Sequence, residues 1–153
     1  MVNKNPLLTS WNTPYKIAPF DEILDDHFSE AVERAMEYEL QEIQEISENS
    51  DPPTFENTIH ALLKSGNLLE RVLSVFYTLV SADSNTQREK LMTEFSPKLS
   101  SHSSKITSNE KLFNRIQELF EKIDSLNLLP EEQRLLEKIH QDYVRAGAAL
   151  NDQ

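Results

Sequence analysis

Apolar residues recur at helical spacing along almost the whole chain, and no stretch alternates at the two-residue period of a strand. Phe28, Val32, Ala35, Met36, Leu40, Ile43 and Ile46 share one face of a helix predicted from Asp25 or Asp26 to Ser47. Glu30, Glu33, Glu37, Glu45 and Glu48 fall on the opposite side. Glu39 breaks the pattern, because at 100° per residue it points into the apolar face. It is either a snorkelling position at the rim or a polar contact to a neighbouring domain.

The remaining punctuation gives the other elements. Asn49-Ser50-Asp51-Pro52-Pro53 reads as a turn, and Thr54 as the N-cap of a second helix. Its apolar set runs from Phe55 and Ile59 to Leu79 and Val80, with Ser65-Gly66-Asn67 kinking or splitting it. A third helix starts at Asn85 or Thr86 and reaches about Ile106, although Ser100-Ser101-His102-Ser103-Ser104 is a poor helix former. Ser108 or Asn109 caps a fourth, and Pro130 suits the first turn of a fifth that continues to Leu150. The expected fold is all-α, a bundle of about five helices. Residues 1–24 form an extended, proline-rich arm in this reading, with residues 25–153 as the helical domain. Pro6, Pro14 and Pro19 bar a continuous helix from the arm, and Leu7, Leu8, Trp11, Tyr15, Ile17 and Phe20 are its apolar anchors.

A chain of 153 residues has enough length to bury a real core. It lacks cysteine, which excludes disulfides and thiolate metal sites and is compatible with a reducing, cytoplasmic setting. The N-terminus shows no apolar leader. No run approaches the roughly 20 apolar residues of a membrane span. The net charge of −11 is unevenly placed: residues 1–57 carry 13 acidic and 3 basic side chains, against 13 and 12 in the rest. Nucleic acid is an unfavourable partner for such a surface, because its phosphates are repelled. The acidic half either attracts a basic partner or simply keeps the chain solvated.

Chemistry has little to work with. Helical zinc sites place two histidines at i and i+4 with a glutamate base between them. None of His27, His60, His102 and His140 has a second histidine at that distance. Glu56 and His60 are four apart, and Glu137 and His140 three apart, but two ligands are too few for a tight site. There is no nucleophile elbow, and two glycines cannot build a phosphate loop. No catalytic or metal-binding residue is assigned, and substrate contacts are left unassigned. The run Arg145-Ala146-Gly147-Ala148-Ala149 lets another helix approach closely, either within the bundle or as a seam to residues beyond Gln153.

Seven landmarks in order carry a resemblance. They are Asn5-Pro6-Leu7-Leu8 with Pro14-Tyr15 and Ile17-Ala18-Pro19-Phe20-Asp21-Glu22-Ile23, and then Pro53-Thr54-Phe55-Glu56-Asn57-Thr58-Ile59. Ser65-Gly66-Asn67-Leu68-Leu69-Glu70-Arg71-Val72, Asn109-Glu110-Lys111-Leu112-Phe113-Asn114-Arg115 and Gln141-Asp142-Tyr143-Val144-Arg145-Ala146-Gly147-Ala148-Ala149-Leu150 follow. Almost the whole chain resembles the N-terminal region of the thimet oligopeptidase, oligopeptidase A and peptidyl-dipeptidase family. The arm and Arg71-Val72-Leu73-Ser74-Val75-Phe76 look closest to the bacterial peptidyl-dipeptidase (dipeptidyl carboxypeptidase) branch.

The resemblance implies a helical, two-lobed zinc peptidase with a deep channel that admits short oligopeptides. In the family a glutamate of His-Glu-x-x-His activates a zinc-bound water, and the peptidyl-dipeptidase branch releases C-terminal dipeptides. No His-Glu-x-x-His occurs here, so none of the family's catalytic positions carries over. The expectation is therefore a non-catalytic N-terminal piece that binds no zinc itself and forms part of the channel's wall or gate. Its aromatic arm would pack on the rest of the same polypeptide, and the isolated piece would dimerise through exposed apolar surface. The alternative is a stand-alone, acidic helical interaction module without activity.

Overall fold

The computed structural model describes residues 4–148, which form helices and turns with no strand among them. Helix α1 spans His27–Ser47. A π-helical turn, Phe55–His60, runs into the short α2, Ala61–Lys64. Then come α3 (Asn67–Ala82), α4 (Thr86–Thr107), α5 (Glu110–Glu121) and α6 (Pro130–Arg145). The all-α expectation holds.

These elements gather into two compact units, each with its own apolar core. The first takes the residues up to Glu39 together with Gly66–Leu99, and the second takes Leu40–Ser65 together with the residues from Ser100 on.

The first unit is built on three phenylalanines. Phe76 on α3 meets Phe28 of α1 and Phe95 of α4 edge to face, each at 5.1 Å between ring centroids. Such pairs add about 0.5–1.5 kcal/mol beyond the area they bury. The arm enters this core. Leu7 is fully buried, Ala18 and Ile23 are buried beside it, and Leu8 and Trp11 pack against the cluster. Arg71 of α3 clasps the arm, donating from Nη2 to the Leu7 carbonyl at 2.9 Å and lying 4.7 Å over the Trp11 ring. Trp11 Nε1 donates back to the Pro6 carbonyl, and the buried Asn5 donates to the His27 carbonyl. Only part of the arm is spent this way, because Tyr15 is 96% exposed and Ile17 and Phe20 are exposed beside it.

The connection from α3 to α4 is tied down by charge. Arg88 Nε donates to Asp25 Oδ1 at 2.7 Å, and the two side chains are only 12% and 17% exposed. Asn85 donates to the other Asp25 oxygen and Gln87 to Asp26. Burial alone would raise the Asp25 pKa. The hydrogen bonds from Asn85 and Arg88 and the guanidinium charge outweigh it and hold the carboxyl below its usual range.

In the second unit Ile43 and Ile46 from the end of α1 pack with Ile59, Leu112, Ile116, Leu119 and Leu136. Asn109 caps α5, its Oδ1 accepting from Leu112 N. The serine-rich half of α4 stays helical through Thr107. There Ser104 and Thr107 turn their hydroxyls back onto the carbonyls of Ser100 and Ser103.

One expectation needs correction. The last helix ends at Arg145 rather than Leu150, because Gly147 takes φ 93° and turns the chain out of helical geometry. The small-residue run is thus a helix end, and its Ala148 packs within the bundle, buried in the core of the second unit. Ala149 and Leu150 lie outside the described residues.

Glu39 is half-buried on α1. Its carboxylate sits over Gly66, where the second predicted helix does split and α3 begins, so its charge faces the positive end of a helix. Gly66 has φ 74°, and a Cβ placed on it would lie 2.4 Å from Glu39 Oε1. Gly66→Ala is expected to destabilise the fold by about 1–2 kcal/mol, from the left-handed backbone and from displacing that carboxylate. Chemical denaturation of both proteins checks it. An unchanged midpoint would show that neither effect operates.

Candidate functional site

The block Pro53-Thr54-Phe55-Glu56-Asn57-Thr58-Ile59 folds into a polar knot. Thr54 and Asn57 form a reciprocal cap: Asn57 N donates to Thr54 Oγ1 at 3.0 Å, and Thr54 N donates to Asn57 Oδ1 at 2.8 Å. Asn57 Oδ1 also accepts from Thr58 Oγ1 and from Arg115 Nη2, at 2.9 and 3.0 Å. Its Nδ2 donates to the Pro52 carbonyl.

Arg115, 9% exposed, stands on the apolar face of α5 beside Leu112, Ile116 and Leu119. Its Nη1 donates to the carbonyls of Asn49 and Asp51, at 2.9 and 3.0 Å. One guanidinium thus fixes the turn after α1 and the start of the π-helical turn. Sequence reasoning did not find this role, although the signal was there: an arginine at a position where the helical period calls for an apolar residue.

The histidines fall apart as a group. His60 donates from Nδ1 to Glu56 Oε2 on the surface, with Lys64 at 3.3 Å from the same carboxylate. These bonds, His60 first, lower the Glu56 pKa. His27 Nδ1 accepts from Leu24 N, and His102 is buried in α4. His140 does not meet Glu137. It donates from Nε2 to Gln117 Oε1 at 2.6 Å and stacks face to face on Phe120, 3.9 Å between centroids, with Phe113 5.9 Å away. Among the described residues no three His, Asp or Glu side chains converge on a point where a metal ion would sit.

The second unit carries a groove of about 1090 Å³ along α6, walled by Phe120 and His140 and floored in part by Leu135 and Val144. Burial lowers the His140 pKa, and the charge of Glu121 only partly opposes this.

Two outcomes follow from this geometry. Arg115→Met leaves two carbonyls and Asn57 Oδ1 short of a donor, so it should cost about 2–4 kcal/mol, measured by urea unfolding. Arg115→Lys should recover only part of the loss, because one ammonium cannot span the same acceptors. For His140 the folded pKa lies below the unfolded one. Its contribution is complete above the ordinary value of 6.5 and is lost as pH falls from there through the folded value. Unfolding between about pH 7.5 and 5 should therefore show a loss of stability that His140→Gln reduces. Identical slopes for the two proteins would refute it.

No family model matches the chain. Dipeptidyl carboxypeptidase of Escherichia coli (strain K12) is 39% identical over 150 residues, 98% of this chain and 22% of that protein. The dipeptidyl carboxypeptidase of Salmonella typhimurium is 37% identical over 99% of this chain and 22% of its own length. Oligopeptidase A of E. coli is 24% identical over 95% of this chain and 21% of its own length. The chain spans about a fifth of the length of the curated relatives it matches. Along nearly its whole length this chain is homologous to the stretch it matches in the dipeptidyl carboxypeptidases and, more distantly, in oligopeptidase A.

Proposed function

We propose that this chain is the N-terminal, non-catalytic part of a zinc-dependent oligopeptidase resembling peptidyl-dipeptidase. In this reading it forms part of the wall or gate of the substrate channel. The whole enzyme hydrolyses short peptides and releases C-terminal dipeptides in the cytoplasm. The observation that carries the reading is the match of 98% of this chain, at 39% identity, to about a fifth of a dipeptidyl carboxypeptidase. The side chains agree with a structural part: Asn57 and Arg115, from two of the segments that carry the resemblance, build a turn. Zinc and the water-activating glutamate belong, in this proposal, to the remaining polypeptide.

The same reading assigns no nucleic-acid or membrane partner. No helix among the described residues is long and apolar enough to cross a membrane. The exposed Tyr15, Ile17, Phe20 and Leu24 are the surface through which the isolated chain would pair with a second copy, or with the rest of its own polypeptide.

The test starts from the source gene. Given the 22% share, about 500 further codons encoding His-Glu-x-x-His are expected after codon 153. The protein from the whole gene should release C-terminal dipeptides from short peptides and lose that activity to a zinc chelator. The 153-residue chain alone should hydrolyse nothing. A stop codon directly after Gln153 would overturn the reading and leave a stand-alone acidic interaction module in its place.

A further inference from the structure

We propose that the groove along α6 is a binding site for a short peptide held in extended form by its two free ends. The peptidase reading supplies the ligand class, and the geometry supplies the place and the mode.

The apolar part of the groove's lining includes Phe120, Leu135 and Val144, the last 39% exposed. Its charges are graded along the helix. Glu131 lines it in the first turn of α6, while Lys138 and Arg145 line it toward the last. None of these three is in an ion pair or side-chain hydrogen bond with another described residue. Their charges are therefore open to a ligand. In the middle Arg134 and Glu137 oppose one another in sign, and with Asp124 the lining comes to three acidic and three basic side chains. Such a groove has no net attraction for a polyanion or a polycation. It suits a dipolar ligand whose ammonium lies near Glu131 and whose carboxylate lies near Lys138 and Arg145.

Length sets the size of that ligand. Fourteen residues of helix separate Glu131 from Arg145, about 21 Å at the α-helical rise. An extended peptide covers that distance with about six residues. Its apolar side chains would rest on Leu135 and Val144, and on the Phe120 and His140 rings that line the groove beside them.

The imidazole reports on occupancy. The probe is the hexapeptide Ala-Leu-Ala-Ala-Leu-Ala with free ends, titrated into the 153-residue protein while the His140 ring protons are followed by NMR. A saturable shift is expected. Acetylating and amidating the peptide should weaken binding by at least about tenfold, and so should the double variant Lys138→Glu/Arg145→Glu. Lys90→Glu, on α4, should leave binding unchanged. All the substituted side chains are exposed, and circular dichroism checks that the helices persist.

The proposal is overturned if no saturable shift appears at millimolar peptide. It is equally overturned if the capped peptide binds as well as the free one, a comparison that needs no variant to fold. These failures are separable from failure of the peptidase reading. Dipeptide release by the whole enzyme would persist if the groove were empty, and groove binding would persist if the gene lacked a zinc motif.

Discussion

A buried guanidinium governs the second unit. Arg115 sits in an apolar face, where an unpaired charge is costly, and no carboxylate among the described residues pairs with it. Two main-chain carbonyls and one amide oxygen accept from its Nη1 and Nη2 instead. Only a planar, multi-donor group reaches three such acceptors at once, which is why lysine is a poor substitute. Through these bonds the turn at Asn49–Asp51 is held against the first residues of the next helix, and that sets how Ile59 enters the core beside Ile43 and Ile46.

The same device recurs in the first unit with different acceptors. Arg71 holds the irregular arm by the Leu7 carbonyl and the Trp11 face, and Arg88 holds the start of α4 to Asp25. The helices themselves follow from apolar spacing. The segments between them cannot, because they have no repeating hydrogen-bond pattern of their own. In a chain poor in bases, three arginines supply that missing order.

This economy bears on function. The block around Asn57 is dense in polar side chains at fixed spacing, a pattern that in a sequence reads equally as a site or as a cap. The bonds it makes are to its own backbone and to Arg115, so its polar side chains have a folding reason. The groove along α6 differs in kind. Its charged side chains have no partner among the described residues, and two stacked rings, Phe120 and His140, line it.

The sequence by itself determined the all-α class, the cap at Thr54, a cap at Ser108 or Asn109, a kink or split at Ser65-Gly66-Asn67 and the resemblance to oligopeptidases. Each of these rests on local spacing or on residue order, which a linear chain displays. Tertiary structure decided the rest. It placed Glu39 on Gly66, moved His140 from Glu137 to Phe120 and Gln117, and spent Leu7 and Trp11 of the arm within the first unit. It also ended α6 at Gly147, through a backbone angle that glycine permits but does not dictate. The physical reason is one of range. Caps and periodicity act within a few residues, while a side chain's partner across 23 or 64 positions of chain is chosen by packing.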